Sequence, residues 1–303
     1  MASSPRPARR RLAYALLLIA PALWSANLIV ARWSAPWFPP HQLALWRWAI
    51  AFLPMLALAG ATLWAKRDAV RAEWRDLVAL GALGMWICGA FVYIGAKTTS
   101  ATNIALIYAG SPVLMLLISA AFYRERLSGP QVVGAGIALA GVLAIIVKGD
   151  LGALARVEFT AGDLWIVVAS ISWAVYSVLL RHRPTRLDPV PRLAAITLAG
   201  IGVLVPFSLV EAVVIGVPTP DARSVAAVLT LGLLPGFGAY QAYSWLVREI
   251  GTARAGLVLY LIPIYSALLA WLLLGEGLAW YHALGAALVL GGLGLANRAP
   301  RAS

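Results

Sequence analysis

Ten apolar runs, each about twenty residues long, follow one another down this chain, and none carries an Asp or Glu near its middle; a helix of that length crosses a hydrocarbon core of about 30 Å. They extend approximately over 12–31, 41–63, 76–96, 101–122, 131–147, 162–180, 193–215, 222–246, 253–274 and 278–297. In lipid only helices and closed barrels satisfy their own backbone, and uninterrupted runs of this length predict helices. Ten spans use roughly 200 residues and leave about a hundred for tails and loops, too few for a sizeable soluble domain. The chain is 62% hydrophobic and 12% charged. A soluble domain is about half apolar and about a quarter charged, so this chain lacks the charge to cover a water-facing surface. It reads as an all-α integral membrane protein.

The formal charge of +12 has two explanations, a nucleic-acid footprint or a topology signal, and the positions of the charges separate them. With the N-terminus in the cytoplasm, the cytoplasmic segments hold Arg6, Arg9, Arg10, Arg11, Lys66, Arg67, Arg71, Arg75, Arg124, Arg126, Arg181, Arg183, Arg186, Arg192, Arg248, Arg254, Arg298 and Arg301, which is 18. The opposite side holds Arg32, Lys97, Lys148, Arg156 and Arg223, which is 5, and Arg47 lies within a span. Short cytoplasmic loops carry such an excess. Both termini are therefore expected in the cytoplasm, the lipid bilayer is the partner of the apolar surface, and no nucleic-acid partner is expected. Arg9 to Arg11 before an apolar run also fit a signal peptide, but Trp24 and Asn27 inside the run and the lack of a small-x-small site predict a retained span. Cys88 is the single cysteine; it forms no intramolecular disulfide and reads as packing.

A shift of 151 positions superposes Leu80 on Leu231, Gly81 on Gly232, Pro112 on Pro263, Glu125 on Glu276, Leu127 on Leu278, Gly134 on Gly285 and Gly141 on Gly292. A shift of 149 aligns Trp24 with Trp173. Each copy, 1–149 and 150–303, holds five spans, and an odd number inserts the second copy upside down. The charges follow the inversion: Arg124-Glu125-Arg126 becomes Gly275-Glu276-Gly277, keeping the glutamate and losing both cations. Halves related by a pseudo-two-fold axis in the membrane plane can exchange conformations, which makes inward-open and outward-open states near equivalents. The expected fold is ten transmembrane helices as two inverted-topology five-helix repeats around a central cavity, the basis of alternating access.

Over nearly its full length the chain resembles the drug/metabolite transporter superfamily and its EamA-type exporters. The resemblance rests on Pro112, Glu125, Leu127, Gly134 and Gly141, on Pro263, Glu276, Leu278, Gly285 and Gly292, and on Trp24, Asn27 and Arg47. Its aromatic-rich helices look most like the YddG-type amino-acid exporters. That resemblance implies a bacterial cytoplasmic (inner) membrane, an amino-acid or related metabolite substrate, and a monomer or weak dimer.

Several residues have the chemistry for such a substrate. Trp24, Trp86 and Trp173 are mid-span, where interfacial anchoring is no explanation, whereas Trp33, Trp37, Trp46, Trp48, Trp64, Trp74, Trp165, Trp245, Trp271 and Trp280 lie near boundaries and read as anchors. Trp24 and Asn27 share a helix face, as do Trp173 and Tyr176, Trp86 and Tyr93, and Tyr240, Gln241 and Ser244. Tyr108 lies four residues before Pro112. Such stripes serve either helix packing or a cavity; indole, phenol and carboxamide tips at mid-membrane depth want a partner or water. Aromatic faces attract an ammonium by about 0.5 to 2 kcal/mol, and Asn27, Gln241 and the tyrosines can hydrogen-bond a carboxylate. Arg47 either snorkels to the headgroups or faces the bundle as a gating residue that attracts a carboxylate. Pro112 and Pro263 each remove a helix hydrogen bond, giving a static kink or a hinge.

The absences also constrain. Glu211 is near a span end, and His41, His182 and His282 are terminal, so a proton relay has no mid-span carboxylate or histidine. No Walker loop, metal-ligand spacing or Cys-x-x-Cys is present, so no cofactor or metal is expected. The expected activity is export of neutral and aromatic amino acids by facilitated uniport, with no enzymatic role. The alternatives are a drug or metabolite efflux carrier, proton coupling through a boundary residue, or an intramembrane enzyme.

Overall fold

The computed structural model describes residues 7–99, 101–150, 152–155, 158–274, 277 and 279–298. Arg6, Arg156, Glu276, Leu278 and Arg301 lie outside the described residues. Among those described the chain is helical, with no strand. The long helices are α1 (Pro7–Ser34), α2 (Pro40–Ala65), α3 (Trp74–Gly95), α4 (in two pieces, Ala101–Ala109 and Ser111–Tyr123) and α5 (Gly129–Ile146). They continue with α6 (Ala161–His182), α7 (Pro189–Ile215), α8 (Ala222–Ile250), α9 (Ile262–Leu274) and α10 (Trp280–Arg298). Among the described residues seven helices are long and apolar enough to cross a membrane, and three shorter apolar helices accompany them. Large apolar side chains such as Val213, Phe122 and Leu58 stand exposed on the outside, a surface that water does not tolerate at this extent and a bilayer does.

Local chemistry sets the helix ends. Ser128 and Gln131 form a reciprocal capping box at the start of α5, and Thr160 and Asp163 form another at the start of α6; each satisfies backbone N–H groups that a helix leaves without partners. Asp221 caps α8 by accepting from the Ser224 backbone N–H at 2.8 Å. Those bonds hold its carboxyl below the usual carboxylate range.

Polar contacts define two ends of the bundle. At the arginine-rich end Lys66 meets Asp188, Glu73 accepts from Thr185 and Arg186, Asp76 pairs with Arg183, and Glu125 pairs with His182. At the other end Glu211 accepts from the Gln42 N–H and meets His41, and Asp163 accepts from Thr99 and Asn103. Each of these contacts joins a segment before residue 150 to one after it.

Between the ends, the main core is built from α1, α2, α3, α6, α7 and α8, while α5 and α10 pack on one another at its flank with a smaller core of their own. Two pairs of glycines let α5 and α10 approach. A Cβ on Gly134 would sit 2.5 Å from the Gly292 carbonyl oxygen, and one on Gly141 would sit 2.6 Å from that of Gly285. These glycines serve a contact within the chain.

Three helices are irregular where the core is crowded. Residues Ala82–Ile87 of α3 and Gly232–Ala239 of α8 are wound as π-helix, and α4 breaks at Gly110, just before Pro112. Pro263 likewise sits at the start of α9, directly after a 3₁₀ turn, Leu257–Leu261. A proline lacks the N–H that would continue the preceding turn, which accounts for both breaks.

Candidate functional site

Where α1, α2, α6 and α8 meet, their aromatic side chains form a closed cluster. Trp24 of α1 lies 5.4 Å from Trp173 and 5.3 Å from Tyr243 between ring centroids, and Trp173 lies 5.4 Å from Tyr240 and 4.9 Å from Tyr243. Tyr176 stacks on Trp173 at 5.4 Å, and Trp48 of α2 meets Tyr240 edge-on at 4.8 Å. All six are buried. Edge-to-face and offset pairs of this kind are the arrangements that the ring quadrupole favours.

The π segment of α3 fixes part of this cluster. Winding Ala82–Ile87 as π-helix takes local carbonyls out of the regular i→i−4 ladder, and three in succession accept from side chains. The Leu83 carbonyl accepts from the Ser172 hydroxyl at 2.9 Å, Gly84 from the Tyr240 hydroxyl at 3.0 Å, and Met85 from the Trp48 indole N–H at 3.0 Å. Gly84 is required for a second reason: a Cβ there would lie 2.8 Å from the Tyr176 ring. Tyr243 donates to the Ser177 hydroxyl at 2.8 Å.

Other polar tips find no such partner. The Trp173 indole N–H, the Tyr176 hydroxyl, the Gln241 carboxamide nitrogen and the Ser244 hydroxyl are buried without a hydrogen bond of normal geometry, although Tyr176 and Ser244 lie close enough to influence one another. Buried donors are nearly always paired in folded proteins, and these four crowd one region of α6 and α8. Ser244 also lines a cavity of about 300 Å³ at the arginine-rich end, together with Leu180, Arg181, Arg183, Arg192 and Arg248.

On the other flank of Tyr240 lies Arg47. It is 4% exposed, so of the two expectations for this residue, snorkelling is corrected. Its aliphatic stem lies against the π segment of α8, where a Cβ on Gly236 would come within 3.8 Å of it, and that packing turns the head inward. Its Nη1 donates to the Tyr93 hydroxyl at 3.1 Å, which donates to the Asn27 carboxamide oxygen at 3.1 Å. The guanidinium carbon is 4.7 Å from the Trp48 ring centroid and 5.9 Å from that of Tyr240.

One more expectation is corrected. Trp48 is fully buried rather than an interfacial anchor, because it faces into the bundle while Trp46, two residues away, faces outward. Of the boundary tryptophans, Trp33, Trp37, Trp46, Trp64, Trp74, Trp165, Trp271 and Trp280 are exposed. Trp86 does not join the cluster; it stacks on Phe207 of α7 at 4.2 Å and meets Phe91 at 5.7 Å. Cys88 packs against the core, with its thiol 3.8 Å from the Tyr108 hydroxyl. Trp24, Trp173, Tyr176 and Tyr240 are brought together, with Gln241 and Ser244 on the same helix as Tyr240. Trp48 and Tyr243 were missed; Tyr243 shares a helix face with Tyr240 and could have been read from that spacing. Among the described residues no group of three His, Cys, Asp or Glu side chains is placed to hold a metal.

Comparison with known proteins places this geometry in context. Residues 11–147 and 160–298 match the EamA-like transporter family. The chain is 24% identical to an uncharacterized transporter, YyaM, of Bacillus subtilis, over 92% of each chain. It is 27% identical to a probable terminal-alkyne amino-acid exporter of Streptantibioticus cattleyicolor, over 91% of this chain and 93% of that one. A solved crystal structure aligns with a TM-score of 0.74 at 25% identity, covering 94% of this chain and 96% of the other.

Proposed function

The chain belongs to the EamA-like transporter family, which makes it a membrane transporter rather than an enzyme, and from that premise we propose that it exports neutral and aromatic amino acids from the cytoplasm by alternating access. The observation that carries this reading is the aromatic cluster itself. Trp24, Trp173, Tyr240 and Tyr243 come from α1, α6 and α8, and beside them the Trp173 indole N–H and the Gln241 carboxamide nitrogen are buried donors without partners. Aromatic walls suit an apolar or aromatic side chain and an ammonium, and unpaired donors suit a ligand that supplies oxygen acceptors. The likeness to an amino-acid exporter supports the same substrate class, and the reading extends to the YddG-type subgroup.

In this proposal ten helices cross the inner membrane as two inverted five-helix repeats, 1–149 and 150–303, with both termini cytoplasmic. The family match in two segments supports the repeat. So do the π segments, which begin at 82 and 232 and end at 87 and 239, straddling the shift of 151. The cavity at the arginine-rich end is then the cytoplasmic vestibule, and Ser244 is where it reaches the cluster. The helix breaks at Pro112 and Pro263 are the hinges that let one side close as the other opens.

Purified protein in liposomes, offered labelled Thr, Met, Phe and Trp with and without a pH gradient, tests this. Saturable uptake with counter-flow and no gradient-driven accumulation is the expected result, for a facilitated uniporter that works as a monomer or weak dimer. No saturable uptake of any of the four would overturn the substrate class. Accumulation driven by the gradient would replace uniport by proton coupling through a boundary group, for which His41–Glu211 and His182–Glu125 are the pairs to mutate.

A further inference from the structure

Arg47 poses a problem of charge that the rest of the protein does not solve. Its guanidinium is permanently charged and lies 4% exposed in a span, yet no described carboxylate pairs with it. The groups around it are the Tyr93 hydroxyl, the Tyr240 ring and, beside the network, the Cys88 thiol, none of them a carboxylate. Of its five N–H donors, one meets the Tyr93 hydroxyl, and Nε has no partner. Every other ion pair described in the structure lies near an end of the bundle. A buried cation is ordinarily matched by an anion.

We propose that Arg47 is the fixed counter-ion for the carboxylate of the transported molecule, so that the protein selects free α-carboxylates and rejects the decarboxylated amine and the ester of the same side chain. This rests on the amino-acid reading above. Position argues for it. Arg47 and the aromatic cluster share one wall, Tyr240, whose ring is 5.9 Å from the guanidinium carbon and 5.4 Å from Trp173. A ligand lying along Tyr240 puts its carboxylate at Arg47 and its side chain among Trp24, Trp173 and Tyr243. Arg47 can meet a carboxylate with two parallel N–H bonds, a geometry that lysine cannot copy. Tyr93 and Asn27 are positioning residues: the hydroxyl takes one N–H of Arg47 and passes its own proton toward the Asn27 oxygen, which aims the remaining donors. That oxygen keeps a second lone pair, free for the ligand's ammonium.

The test compares tryptophan, tryptamine and tryptophan methyl ester as competitors of labelled-tryptophan transport in proteoliposomes, using wild type, Arg47→Gln, Arg47→Lys, Tyr93→Phe and Trp24→Ala. Wild type is expected to prefer tryptophan over both analogues. In Arg47→Gln the preference should fall roughly ten- to a hundredfold, the range of one charge-assisted hydrogen bond, with tryptamine binding little changed. Arg47→Lys should recover part of it, and Tyr93→Phe should lower it less than Arg47→Gln does. Trp24→Ala should weaken all three competitors together. If tryptophan is transported and Arg47→Gln keeps the wild-type preference, the counter-ion is refuted while amino-acid transport stands. If wild type transports none of the amino acids, the underlying reading fails instead. If Arg47→Gln does not fold, the preference is measured in Arg47→Lys, where an undiminished ratio overturns the proposal.

Discussion

Trp173→Phe separates a binding role from a packing role, because the two give effects in different observables. Trp173 is buried, with four ring neighbours, Trp24, Tyr176 and Tyr240 at 5.4 Å and Tyr243 at 4.9 Å. Truncation to Ala would remove all of these contacts and cost about 3 to 5 kcal/mol as a cavity mutation whatever the residue's role. Phe keeps an aromatic ring in place and removes chiefly the indole N–H. In the ligand-free protein that N–H has no partner, and an unsatisfied buried donor costs about 1 to 3 kcal/mol. Its removal offsets the loss of a few buried carbons at about 0.8 kcal/mol each, leaving stability within about 1 kcal/mol of wild type. If the N–H donates to the face of the ligand's aromatic ring, affinity falls by one N–H···π contact, about 0.5 to 1 kcal/mol, or roughly twofold to fivefold. Thermal unfolding in detergent and the KM for labelled tryptophan in proteoliposomes measure both. A stability loss above about 3 kcal/mol with an unchanged KM would refute the reasoning and return Trp173 to packing.

Two further predictions concern the scaffold and its orientation. Gly134→Ala is expected to destabilise the protein by about 1 to 3 kcal/mol, since the new Cβ would meet the Gly292 carbonyl at 2.5 Å; Gly136→Ala, which meets nothing within 4 Å, is expected to be neutral or slightly stabilising, and equal melting temperatures would show that α5 and α10 are not locked. In a Cys88→Ala background, Thr185→Cys is expected to react with an impermeant thiol reagent only in inside-out vesicles and Arg223→Cys only in right-side-out ones; the reverse pattern would overturn the assignment of the arginine-rich end to the cytoplasm.

Helix ends were legible because they are local. The expected spans at 41–63 and 162–180 became Pro40–Ala65 and Ala161–His182, with the differences falling on end residues such as Pro40 and Ala161, next to the caps Pro39 and Thr160. Rotation about the helix axis was less legible. Trp46 and Trp48 are chemically identical and two residues apart, and only the neighbours of α2 decide which one enters the core. The same holds for Arg47, whose depth was readable and whose direction was not. The π segments left a faint trace in sequence, a concentration of glycine around Gly81–Gly84 and Gly232–Gly238, but glycine is common in membrane helices and did not by itself indicate a change of winding.

Those π segments bear on how a site of this kind can hold its shape and still respond to a ligand. Trp48, Tyr240 and Ser172 spend their donors on backbone carbonyls of α3, so those contacts are in place with or without a ligand. Among the donors left over, Arg47 on one flank of Tyr240 precedes residue 150, while Trp173, Tyr176, Gln241 and Ser244 follow it. A zwitterion with an aromatic side chain is large enough to engage both groups, and only a ligand that does so ties the two halves together. One that meets a single group has no differential contact with the open and closed states, and without such a difference it cannot shift their populations. Discrimination against an amine lacking the carboxylate should therefore be greater in transport rate than in binding to the resting protein. Measured side by side for tryptophan and tryptamine, equal ratios in the two assays would argue that the halves close independently of what Arg47 holds.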